Sequence, residues 1–201
     1  MNEPVERFGI VYEADHLRRY FQLPDVEPDA IIAVCDTKEQ GSDYCVMPIA
    51  YQYGQDFYID EIICDNGNVE VIENRIAQTL IDRKVQRCRI ESNRGGTLFA
   101  QDVERLMREN GGMTNITTKW TQTNKETRIE INSAFAKKHF LFKDPSMYKN
   151  DREYRIAVDM LCGYSSQAKA RHDDVPDAMA MLVDFIGSFG SNKAYIYKRP
   201  F

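Results

Sequence analysis

Acidic residues at three places in this chain could hold a hard metal ion. Asp36 ends the apolar run AIIAVCD, Glu91 lies in IESNRGG, and Asp173, Asp174 and Asp177 crowd into RHDDVPDAMA beside His172. Carboxylate oxygens without Cys/His pairing suit Mg²⁺ or Mn²⁺, not zinc. Two such ions, about 3.5–4 Å apart, can activate water and stabilise the leaving oxygen of a phosphodiester. Each place also has a plainer reading. Asp36 could open a turn, and Glu91 could be a polar strand end before a Gly turn. Asp174 could cap a helix, with Pro176 in its first turn and Asp177 at its third position. Capping needs one acid or two, however, and crowding three calls for a cation between them.

For these acids to meet, the elements carrying them must share one end of a sheet. Ala30–Asp36 is too short for a helix and reads as a buried strand. Asp43–Tyr53 and Asp56–Cys64, joined at Gly54-Gln55, complete a three-stranded antiparallel meander, with Pro48 marking an edge or a bulge. Val69–Lys84 has a helical apolar stripe, and Val85–Ser92 alternates as a fourth strand. A strand reached through a helix is parallel to the first, which puts Asp36 and Glu91 at the same end. Thr97–Asn110 is a second helix stopped by Gly111-Gly112, and Met113–Trp120 a fifth strand. Residues 121–155 are less regular, with a helix through Ile129–Lys138 and a strand-like FLF. Val175–Phe189 is the last helix. The pattern is an α/β fold on a mixed sheet, antiparallel meander plus parallel strands, flanked by helices. Residues 1–29 read as a linker or arm outside the core, with a short helix in YEADHLRRYF. Residues 30–190 form the domain, and 191–201 a peripheral tail.

Composition narrows the class. A 201-residue chain with 43% hydrophobic and 28% charged residues describes one ordinary globular domain. No apolar run reaches membrane-span length, and the polar N-terminus is no signal peptide. Cys35, Cys45, Cys64, Cys88 and Cys162 form no CxxC pair, and the first four fall in expected strands. They read as buried hydrophobes in a reducing compartment. Trp120 is expected in the core.

AVCDTKEQGSDY, IESNRGG, TNKETRI and HDDVPDAMA together resemble the C-terminal nuclease domain of the phage terminase large subunit, a member of the RNase H-like (retroviral-integrase) superfamily. The resemblance spans about residues 30–190. It implies an RNase H-like fold and a metal-dependent endonuclease, with Mg²⁺ or Mn²⁺ as a pair of ions. By it Asp36 is the first catalytic acid, Glu91 the second and Asp174 the third, with Asp173 and Asp177 as further ligands. His172 could touch the metal or the scissile phosphate. The implied substrate is double-stranded viral DNA, cut from a concatemer during genome packaging in the cytoplasm of the infected host. The implied partners are the terminase ATPase domain, the small terminase subunit and the portal. Nothing in the chain matches GxxxxGK[ST], so an excised domain or a standalone relative is expected, without ATP chemistry.

A DNA substrate must be reconciled with a net charge of −5. From Lys119 to Arg155, nine basic residues against five acids leave +4, so the charge is polarised. Arg94, Lys119, Lys125 and Arg128 are the expected phosphate track, giving affinity without sequence reading. Two other readings keep the fold: a Holliday-junction resolvase or RNase H-type hydrolase, and a catalytically inactive DNA-binding or assembly module.

Overall fold

The computed structural model describes residues 9–37, 43–166 and 173–190. Among them are seven strands: β1 (Arg19–Tyr20), β2 (Ala30–Cys35), β3 (Cys45–Tyr53), β4 (Asp56–Asp65), β5 (Arg87–Glu91), β6 (Asn115–Lys119) and β7 (Phe140–Lys143). Five α-helices accompany them: α1 (Val69–Asp82), α2 (Gly96–Glu109), α3 (Lys125–His139), α4 (Arg152–Gly163) and α5 (Asp174–Gly190). The strands form one sheet in the order β1-β7-β4-β3-β2-β5-β6. Only β3 runs against the others, pairing antiparallel with β2 and β4. The expected meander and the parallel β2–β5 pairing are both present. The C-terminal tail falls outside the described residues.

The sheet is covered on both faces, which is why β2 is nearly all apolar. Ile31, Ala33 and Cys35 pack with Ile72, Ile76 and Leu80 of α1 and Phe99, Val103 and Met107 of α2. Ile32 and Val34 point the other way, into a core with Ile129 of α3, Tyr154 and Leu161 of α4, and Met179 and Leu182 of α5. The period-two alternation of a strand thus feeds two cores at once. Cys35, Cys45, Cys64 and Cys88 are buried and unpaired, as expected of small core residues.

Side-chain caps start three of the helices. Asn68 accepts from the Glu70 and Val71 amides at the start of α1, Asn124 from Glu126 at α3, and Asp151 from Tyr154 at α4. Each satisfies an amide that the first turn would leave without a partner.

Three features differ from the sequence reading, and the irregularity expected at Pro48 is present. The stretch YEADHLRRYF makes a 3₁₀ turn at Ala14–His16 and then β1, not an α-helix. Far from staying outside the core, Tyr12 and Leu17 are buried in it, and β1 pairs with β7. Pro48 lies in an interior strand; the expected irregularity is there, a register shift between Ile49 and Ala50. Helix α4 occupies a region where the pattern pointed to no regular element; Tyr154, Ala157, Val158 and Leu161 form its buried stripe.

A close approach locks β5 to α2. Gly95 has φ +99°, and a Cβ on Gly96 would sit 1.9 Å from the Glu91 carbonyl oxygen. Only glycine lets the helix start against the strand end that carries Glu91. Gly96→Ala should therefore lower unfolding free energy by about 2 kcal/mol or more, read from urea denaturation.

Candidate metal centre

The parallel pairing of β2 and β5 puts the ends of both strands on one edge of the sheet. Cys35 is registered with Ile90, so Asp36 and Glu91 follow side by side. Asp36 is held by a two-way backbone bridge, its N–H and C=O bonding Val46 at 2.9 Å each. Helix α5 then delivers its first turn to the same edge from the face it covers. Carboxylate oxygens of Asp36, Glu91 and Asp177 all lie within 4.8 Å of one another, and all three residues are buried.

Asp174 faces the same space from the first position of α5, and Asp173 precedes it. The Asp173 carbonyl accepts the Asp177 N–H at 2.9 Å, so Asp173 takes the helix-entry position that the sequence pattern gave to Asp174. That leaves the Asp174 carboxylate to accept the Tyr44 N–H at 3.3 Å and to line the cleft. The cleft has a volume of about 400 Å³ and is lined by Asp36, Asp43, Glu91, Asp173 and Asp174, among others. Asp177 lies behind its wall. His172 falls outside the described residues.

Two cations compensate this charge, in different ways. Arg128 is 4% exposed and grips both oxygens of Asp177 at 2.6 Å, with Nη1 3.2 Å from Glu91. Lys125 extends its ammonium into the middle of the acids, 3.4 Å from Asp36 and Asp177, 3.5 Å from Asp174 and 3.6 Å from Asp173. Both were expected on a phosphate track. In this structure Arg128 is buried with its guanidinium committed to Asp177 and Glu91, and Lys125 is engaged by carboxylates. Lys119, at the end of β6, is exposed. Arg94's side chain lies outside the described residues. Trp120 is 63% exposed, not in the core; it follows β6, an edge strand of the sheet.

Sequence reading missed the residue that steadies Glu91. Asn93 donates to Glu91 Oε1 at 3.3 Å and to the Thr121 carbonyl at 3.0 Å, and accepts the Thr121 N–H at 3.1 Å. It ties the ends of β5 and β6 together beneath the acid. The asparagine stands in IESNRGG, but only the fold shows which strand end it meets.

The family model for the ribonuclease H-like domain of the bacteriophage T7 terminase matches residues 35–139, just over half of the chain. The chain belongs to this family. Asp36, Glu91, Lys125 and Arg128 lie within the matched part of this terminase ribonuclease H-like domain, and the acids of α5 beyond it. No curated protein sequence matches. Among solved structures, the human cytomegalovirus terminase nuclease domain, Mn soaked and inhibitor bound, is 13% identical. That match covers 88% of this chain and 95% of the other, with TM-score 0.62. The large terminase of the thermophilic bacteriophage D6E, with ADP, is 13% identical at TM-score 0.59; 89% of this chain matches 45% of that one. The fowlpox virus Holliday junction resolvase is 13% identical at TM-score 0.51, covering 79% and 99%. At these identities the likeness is one of fold, and the fold is RNase H-like.

A divalent cation fits the donor set. Five acids meet two cations, so carboxyl groups outnumber cations in a site made of hard oxygens. Burial pushes the Asp36 carboxyl well above its ordinary range; Lys125 opposes this, and Asp177 and Glu91 add to it. Burial also raises Asp174, against Lys125, and Asp177, against Arg128. The folded metal-free protein therefore holds protons that the unfolded chain has already released, from the ordinary carboxylate range up to the raised values. Across that interval stability falls as pH rises. In EDTA, the melting temperature should drop as pH rises above the ordinary carboxylate range, and Asp36→Asn should flatten the drop. A calorimetric pH series on both proteins checks this.

Proposed function

We propose that the chain is a metal-dependent endonuclease that cuts double-stranded DNA during viral genome packaging. The observation that carries this reading is the convergence of Asp36, Glu91 and the first turn of α5 on one open cleft. The family supports it, as does the fold shared with a terminase nuclease domain that was soaked with manganese. When bound, two divalent ions would supply an activated water and charge stabilisation for the departing oxygen. Asp36, Glu91 and Asp174 would hold them, with Asp173 close by.

The protein's own groups set the rest. Strand-end geometry keeps Asp36 and Glu91 adjacent, and Asn93 orients Glu91. Arg128 and Asp177 form a fixed pair behind the ligands, so α5 cannot retreat from the sheet. Lys119, exposed at the end of β6 and registered with Glu91, gives phosphate affinity without reading bases, which suits cleavage at many sequences. The cleft's volume corresponds to roughly a dozen waters, enough for hydrated cations and a phosphate group.

Purified protein should nick and linearise supercoiled plasmid in Mn²⁺ or Mg²⁺ and not in EDTA. Asp36→Asn, Glu91→Gln and Asp174→Asn should each slow cleavage by more than about a hundredfold, since even supporting partners of metal ligands are worth 10–100-fold. No cleavage by a folded protein in either metal, with DNA still bound, would instead favour an inactive binding module. Faster cleavage of four-way junctions than of plain duplex would favour a resolvase.

The two acids of α5 should separate. Asp177→Asn strands Arg128 in the interior and should cost about 3–5 kcal/mol of stability. Asp174→Asn should unfold no more easily than the native protein and still fail to cut. Urea denaturation beside the plasmid assay distinguishes them.

A further inference from the structure

We propose that Lys125 is an exchangeable counter-cation: its ammonium holds the metal-free carboxylates together and leaves the cluster when a divalent ion binds. The inference rests on the metal-centre reading and adds a competitor built into the chain. Its basis is the position of one atom. Lys125 Nζ lies 3.4–3.6 Å from carboxylates of Asp36, Asp173, Asp174 and Asp177 at the same time. Four acids surrounding one cation is how a metal ion is held, and no second cation fits among them at such distances without repulsion.

Helix α3 does not account for this placement. Lys125 is its first residue, following the Asn124 cap. A cation there faces the positive end of the helix dipole, where acids are favoured. Its ammonium stays because of the acids across the cleft, which outweigh the cost of burial and hold its charge above the ordinary lysine range. Take those acids away, by coordination to a metal, and the reason for its inward pose goes too.

Lys125 can also leave. Its side chain is 37% exposed, against 4% for Arg128. A flexible four-carbon stem carrying a point charge can swing to solvent at little cost, whereas a bidentate guanidinium is pinned. The two cations thus divide the work: Arg128 is permanent and Lys125 is displaced. Metal binding would then release the ammonium at the mouth of the cleft, beside Thr121 and Thr123, where a DNA phosphate would pass. Apparent metal affinity becomes the difference between two cations competing for the same oxygens.

Calorimetric titration of the full chain with Mn²⁺ alone, at fixed ionic strength, tests this on native protein, Lys125→Gln and Lys125→Arg. Lys125→Gln should bind Mn²⁺ about tenfold more tightly, about 1.4 kcal/mol. It should melt lower than native in EDTA and at least as high when saturated with Mn²⁺. Lys125→Arg should stay near native affinity. On the native chain itself, Mn²⁺ should speed acetylation of Lys125, followed by mass spectrometry, as the amine is freed. Equal or weaker Mn²⁺ binding by Lys125→Gln, or protection of Lys125 from acetylation by Mn²⁺, overturns the inference while leaving the metal centre standing. If the native chain binds no Mn²⁺, the metal centre itself is wrong and the inference falls with it.

Discussion

Carboxylates taken out of water need cations, and this requirement governs how the sheet edge is built. Asp177 is wholly buried and Asp36 and Glu91 nearly so, at one end of two adjacent strands. Without Arg128 the arrangement would leave Glu91 without its ion-pair partner and Asp177 with Lys125 alone, in an interior where desolvation costs several kcal/mol per ion. The guanidinium closes that gap by joining α5, through Asp177, to β5, through Glu91, from its own place on α3. Three elements distant in sequence are thereby held in one geometry. The pairing leaves a residue of negative charge facing the cleft, and that residue is what a divalent ion can use.

Packing serves the same end. The β2–β5 register sets the neighbours, Gly96 lets α2 start directly beneath Glu91, and Asn93 ties β5 to β6. A side chain on Gly96 would collide with the Glu91 carbonyl, so a residue with no functional group helps to hold the strand end that carries an acid. Covering both faces of the sheet makes this edge rigid: the strand ends emerge from two cores and have little freedom to drift. Such rigidity suits a centre in which ligands must be in place before the ion arrives.

Much of this was legible in the residues. Ala30–Asp36 could only be a short buried strand, Gly54 and Gly111 marked turns, and the helical stripes of α1 and α2 were plain. Asp36 and Glu91 followed from the inference that β5 is parallel to β2. Helix α4 was harder to see, because its four buried positions are interspersed with charges and follow an irregular loop. Tyr12 and Leu17 looked like part of an arm because nothing local in a Pro-punctuated polar stretch signals that it folds back against the sheet. Trp120 looked like core by residue type alone, yet its place after an edge strand leaves even tryptophan in water.

Residue types and spacing alone determined that hard-oxygen acids stand at two strand ends and one helix start, on an α/β scaffold. Hydrophobic periodicity is a local property, and it carries that much. Which acid faces the cleft and which lies behind it, and that Arg128 and Lys125 meet carboxylates, only the tertiary structure decided. Electrostatic partners are chosen by distance in space, and Arg128 and Asp177, 49 residues apart, meet only after the sheet and α5 have come together.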